Sequence, residues 1–436
     1  MMKNLQTTPS PRDSAKERIS ARYKNATDGI SRNVEILLGT EPLWAVPVTW
    51  MRTYASLFMA ALGLSATQIG WMASITLVVQ MLVAPFGGYT ADHFGRKRSL
   101  ITFDIISWIM PLFVWMFAQN IWYFAVAAAL NGVGMIIGPS WNCLLVEDTN
   151  PTRRPAVFAG FQLIVLGAGI LSPISGWIVN SKGVIMGTRI IYGLTGLSIG
   201  IMTLIRALTV TETSVGIAIA QERQGQGAGI KDALQNYRSA LLYGFRHPAL
   251  NKLLLLSMIN FAYTTIWTAY SALYMTHIKG LNLSPSLVAF WPTFSSVFMV
   301  LTLVFLVPRV RLEKLPEWLL FSSILLCLGV VVFMVLPPDS YGLLAIPAIL
   351  IAVGTALVNP VRDTFIANII DDRQRAPFLA AINSVSMCVL VPLTPLAGRL
   401  FDLNTRAPLY LLLGFLVVGV FAANGLKRVG ASSDDE

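Results

Sequence analysis

The sequence predicts an all-α membrane protein of twelve transmembrane helices arranged as two six-helix bundles. Three observations carry that prediction: a composition too apolar for water, apolar runs that split six and six, and basic residues gathered on one side of them. The 436 residues are 55% hydrophobic and 12% charged, with a mean hydropathy of +0.64. With glycine counted in and tyrosine out, about 60% of the chain is apolar against a usual 45–50%, and the charge is roughly half the usual. At about 20 residues per crossing, twelve crossings take roughly 240 residues and leave only tails and loops. A soluble enzyme, a nucleic-acid binder and a disordered scaffold are therefore excluded as whole-chain readings.

The first stretch, 1–42, reads as a cytoplasmic tail. It carries Lys3, Arg12, Lys16, Arg18, Arg22, Lys24 and Arg32 and no apolar run of the export-signal kind. Apolar runs follow at roughly 43–64, 68–91, 99–118, 120–145, 156–181 and 184–207, giving a first bundle over 43–207. A polar linker over 208–249 holds the Gly- and Gln-rich stretch Gln221–Gly229. Beyond it, Ile230, Leu234, Tyr237, Leu241 and Phe245 recur at helical spacing among Lys231, Asp232, Arg238 and Arg246, the pattern of an amphipathic interfacial helix. Runs resume at roughly 250–276, 284–307, 315–336, 341–368, 376–401 and 407–426, giving a second bundle over 250–427 and a short tail over 428–436. With the N-terminus inside, about 25 of the 32 Lys and Arg fall on the cytoplasmic side and about five outside, so both termini are expected in the cytoplasm.

The two halves echo each other. Tyr54-Ala55-Ser56-Leu57-Phe58-Met59 in span 1 answers to Tyr270-Ser271-Ala272-Leu273-Tyr274-Met275 in span 7. Leu64-Ser65 before span 2 answers to Leu283-Ser284 before span 8, each serine placed as a helix N-cap, and Val133-Gly134 with Pro139 answers to Val353-Gly354 with Pro360. Parallel repeats of this kind suit an alternating-access transporter with a midplane site.

Between spans 2 and 3 the chain reads Gly88-Tyr89-Thr90-Ala91-Asp92-His93-Phe94-Gly95-Arg96-Lys97-Arg98-Ser99-Leu100. This resembles the signature loop of the major facilitator superfamily, G-x-L-A-D-R-x-G-R-K-x-x-L, with Thr90 for the leucine and His93 for the first arginine. Asp92 falls at a helix C-terminus, where a carboxylate needs a compensating partner, and Arg96 and Arg98 are within reach across the turn at Gly95. The resemblance implies that Gly88, Asp92, Gly95, Arg96 and Arg98 form a conformational latch closing near Ala376 at the start of span 11. Span 4 ends in Glu147-Asp148 before Arg153, as in many members. Gly167, Gly169, Pro173 and Gly176 in span 5 are a loose version of a motif of drug-exporting members, with Ser172 and Ser175 where that motif has glycine; close helix packing explains the glycines equally well.

Ionisable residues inside the membrane are functional candidates by default. Arg52 lies near the bilayer centre, either touching an anionic group of a substrate or balancing an acid such as Asp104. The resemblance implies a central cavity between spans 1, 4, 7 and 10 that holds Arg52 with Trp50, Tyr54, Asn131, Trp141, Asn142, Asn260, Tyr263, Trp267 and Tyr270. Asp104, Glu147, Arg362 and Asp363 are candidates for a proton or charge relay. Asp104 is alternatively an ion-pair partner of the local basic loop. Arg362 and Asp363, pointing about 100° apart on a helix, are expected to find a partner elsewhere rather than each other. Asn131, Gln80 and Gln162 serve either as interhelical hydrogen-bond glue or as ligand contacts. Cys143, Cys327 and Cys388 lie in apolar stretches without metal-ligand spacing. No nucleotide loop, metal cluster or hydrolytic triad is present, so no cofactor or metal is expected and a primary pump is unsupported.

These readings converge on a secondary transporter in the plasma membrane that works as a monomer within the lipid bilayer and is not an enzyme. The expected activity is proton-coupled efflux of a small amphipathic or drug-like molecule. The alternatives are uptake or exchange of a small organic anion or sugar, and, in another class, a membrane sensor that does not transport.

Overall fold

The computed structural model describes residues 29–222, 248–369 and 372–433. The amphipathic helix expected over 230–245 lies outside them. The described residues are helical, without a strand, and ten segments are long and apolar enough to cross a membrane. One of these, Arg154–Thr209, has 56 residues and holds two crossings, because Gly183 at φ 74° and ψ 170° folds the chain back on itself. The 20-residue helix Pro42–Ala61 supplies the first crossing and brings the number to twelve. Alternate crossings leave the start of span 1 and the end of span 12 on one face, which we call the terminal face. The loops after spans 1, 7 and 11 lie on the opposite face.

Span 2 begins at Ala66–Val83 with a complete capping box. Ser65 Oγ accepts from Gln68 N at 3.2 Å, and Gln68 Oε1 accepts from Ser65 N at 2.9 Å. Ser284 stands at the related position before span 8 but does not cap with its side chain. Span 8 starts as a 3-10 turn, Pro285–Ala289, in which Leu287 N already bonds the Ser284 carbonyl at 3.0 Å. Span 3 is broken by a π-helical turn, Ile105–Ile109, and Asn131 Nδ2 of span 4 donates to the Ser107 carbonyl within it at 2.9 Å. Among the described residues, the tail expected over 1–42 contains the helix Arg32–Thr40, capped by Ser31; it buries Val34 and Leu37 completely in a cluster with Leu100 and Leu144. The last helix, Ala407–Ser433, runs past the boundary expected at 427.

The bundles meet in the half of the molecule towards the opposite face, where small residues let backbones touch. A Cβ at Gly70 of span 2 would lie 2.4 Å from the Thr394 carbonyl of span 11, and one at Gly398 would lie 2.2 Å from the Ala66 carbonyl. Span 5 approaches span 8 in the same way, with Gly169 2.5 Å from the Pro292 carbonyl and Gly176 2.6 Å from that of Ser286 by the same measure. Polar contacts reinforce the seal. Asp402 accepts from Ala66 N and Thr67 N, both at 3.0 Å, and from Thr67 Oγ1 at 2.6 Å, so an acid from one bundle caps a helix N-terminus of the other. Ser74 Oγ donates to the Val391 carbonyl at 2.6 Å.

Two tyrosines complete it. Tyr54 Oη of span 1 donates to the Pro285 carbonyl at the head of span 8, at 3.2 Å. Tyr270 Oη of span 7 donates to the Thr394 carbonyl at 2.7 Å, and the Ala66 carbonyl at the head of span 2 shares that proton at 3.3 Å. Both are essentially unexposed. The two residues correspond in the internal repeat, and each reaches the corresponding helix start in the other half.

Candidate functional site

Below this seal the bundles diverge around two adjoining cavities. One, of about 340 Å³, lies among spans 1, 5, 7, 8 and 10. The other, of about 480 Å³, lies among spans 1, 2, 3, 4, 6 and 7. Arg52, Thr264 and Thr268 border both. Arg52 sits about 15 Å along the helix Pro42–Ala61, which is mid-membrane depth. Its guanidinium is 5.9 Å from the Trp44 ring, so the side chain leans towards the terminal face.

Of the expected cavity residues, Tyr263 and Trp267 line the smaller cavity and stack at 5.7 Å, with Trp291 5.2 Å beyond. Asn131 lines the larger cavity while holding the π turn of span 3. Asn260 bonds Asn359 across spans 7 and 10 at 2.9 Å and borders neither cavity. Tyr54 and Tyr270, expected in the cavity, border neither and instead bond the other bundle at the depth of the seal. Trp141 turns away from the centre, against Phe161 at 5.6 Å and over the Arg206 guanidinium at 4.9 Å. Trp50 is spent on a bond to the Leu171 carbonyl at 3.1 Å.

Arg206, which carried no sequence signal beyond its basic charge near the end of span 6, organises a buried cluster. Its Nη2 lies 2.7 Å from Glu41 Oε2 and 3.2 Å from the Leu37 carbonyl, its Nε 3.0 Å from Thr40 Oγ1, and its Nη1 3.9 Å from Asp104 Oδ2. Asp104 therefore pairs neither with Arg52 nor with the loop after span 2; span 6 is the nearer source of a cation. Arg362 and Asp363 also depart from expectation, because Arg362 Nε and Nη2 donate to Asp363 Oδ1 at 3.0 and 2.8 Å. The backbone directions diverge, but the long arginine arm curls back along its helix.

The signature loop folds onto its own bundle. Gly95 adopts φ 86°, a left-handed conformation that glycine tolerates, and lets the chain turn into span 3. Arg96, 2% exposed, places Nη2 3.2 Å from Asp92 Oδ1 and 3.1 Å from Glu147 Oε1, with Nη1 on the Ala91 carbonyl. Glu212 of the linker accepts from Arg96 N at 2.9 Å and Lys97 N at 3.1 Å, capping span 3. Glu147 also binds the Thr213 hydroxyl. Arg98 is exposed, and Gly88 faces open space; Gly87, one residue earlier, is the glycine that packs, against Pro139. The side chains around Ala376 lie outside the described residues.

Helical bundles related by a repeat, a midplane cavity between them and a glycine-turned basic loop after span 2 define a membrane transporter. The sequence profile of the Major Facilitator Superfamily matches residues 46–389. The chain belongs to that superfamily, and it is a transporter rather than an enzyme. It is 23% identical over 374 residues to the quinolone resistance protein NorA of Staphylococcus aureus, covering 83% of this chain and 88% of that one. It is 28% identical over 150 residues to the uncharacterized MFS-type transporter YqjV of Bacillus subtilis, 33% of this chain and 36% of that protein. Among solved structures, a POT family transporter in complex with 5-aminolevulinic acid superposes with a TM-score of 0.70 at 12% identity, covering 92% of this chain and 96% of that one. The nucleoside transporter NupG superposes with a TM-score of 0.65 at 15% identity, covering 91% and 100%. At these identities the structures share the fold.

Proposed function

We propose that the protein is a plasma-membrane exporter that exchanges protons for a small amphipathic molecule, with both termini in the cytoplasm and each polypeptide working alone. The observation that carries this reading is an aromatic cavity at membrane mid-depth, closed by a polar and glycine-lined seal on the face away from the termini. The similarity to NorA along most of both chains supports export. Proton use is supported by the Glu41, Asp104 and Arg206 cluster, where two buried acids share one base. The deciding experiment is transport of a compound panel in vesicles under imposed pH gradients. Export driven by inward proton flow supports the reading; accumulation independent of the gradient rejects it.

Orientation has its own check. A cysteine introduced near Lys279, in the loop after span 7, is expected to react with an impermeant thiol reagent added to intact cells, and one at Thr211 is not. The reverse pattern inverts the topology.

In the latch reading, Asp92→Asn keeps the side-chain shape and removes the charge facing Arg96. Slower transport is expected, with substrate affinity within about twofold of the parent, since the loop is remote from both cavities. Lost affinity at normal turnover contradicts a latch.

A further inference from the structure

Both cavities have an uncommon charge balance. Among their described lining residues Arg52 is the single charged side chain. It is exposed to that space, and among the described residues it makes no hydrogen bond or ion pair; the Trp44 ring is its one charge-directed contact. A guanidinium at this depth is expensive to keep and carries five donors that a carboxylate, sulfonate or phosphonate satisfies in pairs. Three of the neighbouring hydroxyls already donate elsewhere. Thr49, Thr53 and Thr264 give their protons to the Ala45, Thr49 and Asn260 carbonyls at 2.8, 2.8 and 3.1 Å. On one side of Arg52 lie the rings of Tyr263, Trp267 and Trp291, and on the other Trp115, Phe124 and Tyr192.

We infer that the cavity selects organic anions: molecules with an aromatic body, seated against these rings, and one acidic group held by Arg52. The inference rests on the transporter reading and narrows its substrate class. Selection works in both directions, because a cationic molecule of the same shape meets a like charge and has no acid in the lining to offset it.

The test uses the purified full-length protein and three probes with one ring system: 2-naphthalenesulfonate, 2-naphthol and a 2-naphthyltrimethylammonium salt. In equilibrium binding the sulfonate is expected to bind tightest and the ammonium weakest. Arg52→Ala is expected to weaken the sulfonate about ten- to a hundredfold while leaving the naphthol within about twofold, since a charge-assisted hydrogen bond is lost and the apolar contacts remain. Arg52→Lys should retain part of the sulfonate affinity, as charge persists without the planar fork. Ammonium binding as tight as sulfonate binding, no detectable sulfonate binding, or an equal loss for sulfonate and naphthol in Arg52→Ala overturns the inference. If Arg52→Ala does not fold, the order of the three probes on the parent protein decides alone. Vesicle assays separate the two readings. Sulfonate bound in the expected order but never carried leaves the anion site standing and removes transport, whereas transport of the ammonium probe keeps the transporter and removes the anion site.

Discussion

Gly398→Val is expected to break the seal between spans 2 and 11 and to stop transport. A Cβ at this position would lie 2.2 Å from the Ala66 carbonyl oxygen and 2.7 Å from the Thr67 Cα. Both are backbone atoms of a helix start that Asp402 holds in place, so neither yields as a side chain would. Overpacking of this kind costs about 1–3 kcal/mol in a core that can adjust, and the upper end applies here. A shift of about 3 kcal/mol against the closed arrangement changes the ratio of closed to open forms by roughly a hundredfold. The readout is thiol labelling of a cysteine at Thr76, which lines the larger cavity beneath the seal, by an impermeant reagent added from the opposite face. Labelling should rise sharply and transport fall. Unchanged labelling together with unchanged transport sinks the assignment of Gly398 to the seal.

Arg206→Ala is expected to destabilise the first bundle more than any other single change to its polar interior. The substitution strands Glu41 and Asp104, both at most 6% exposed as side chains, without the cation they share. Breaking a buried pair in this way costs about 3–5 kcal/mol. It also removes the bonds to Leu37 and Thr40 that tie the helix Arg32–Thr40 to span 6, and the contact with Trp141. Arg206→Met combined with Glu41→Gln and Asp104→Asn should recover much of the loss, because both acids are neutralised along with the cation they shared. Thermal unfolding of the purified variants checks this. Equal unfolding temperatures for the parent and Arg206→Ala would show that the cluster contributes little.

The crossings, their division into two bundles and the glycine turn at Gly95 were legible because they follow from hydropathy, charge sidedness and a residue that alone tolerates positive φ. Side-chain destinations were not. Tyr54 and Tyr270 were read as cavity residues, but spacing along a helix does not tell at what depth two bundles converge, and both lie in the seal. Trp141 was drawn outward by Arg206, a partner 65 positions later in the chain that no local pattern connects to it. Arg362 and Asp363 illustrate a different limit: helical geometry fixes where Cβ atoms point and leaves open where a flexible arm ends. Asp402 escaped notice because its value lies in capping a helix start from the other bundle, which only the assembled structure brings within reach.

The crossed tyrosines bear on how such a chain could arise. Tyr54 reaches the start of span 8 and Tyr270 the start of span 2, each from its own half to the equivalent point of the other. This is the signature of an isologous interface, in which one patch contacts its own copy across a twofold axis. Two separate six-helix polypeptides of identical sequence would form the contact twice over with one tyrosine. Fusion of a duplicated gene would therefore inherit a working closure from a symmetric homodimer, and the later divergence of the halves would have been free to place a single arginine on only one side of the axis.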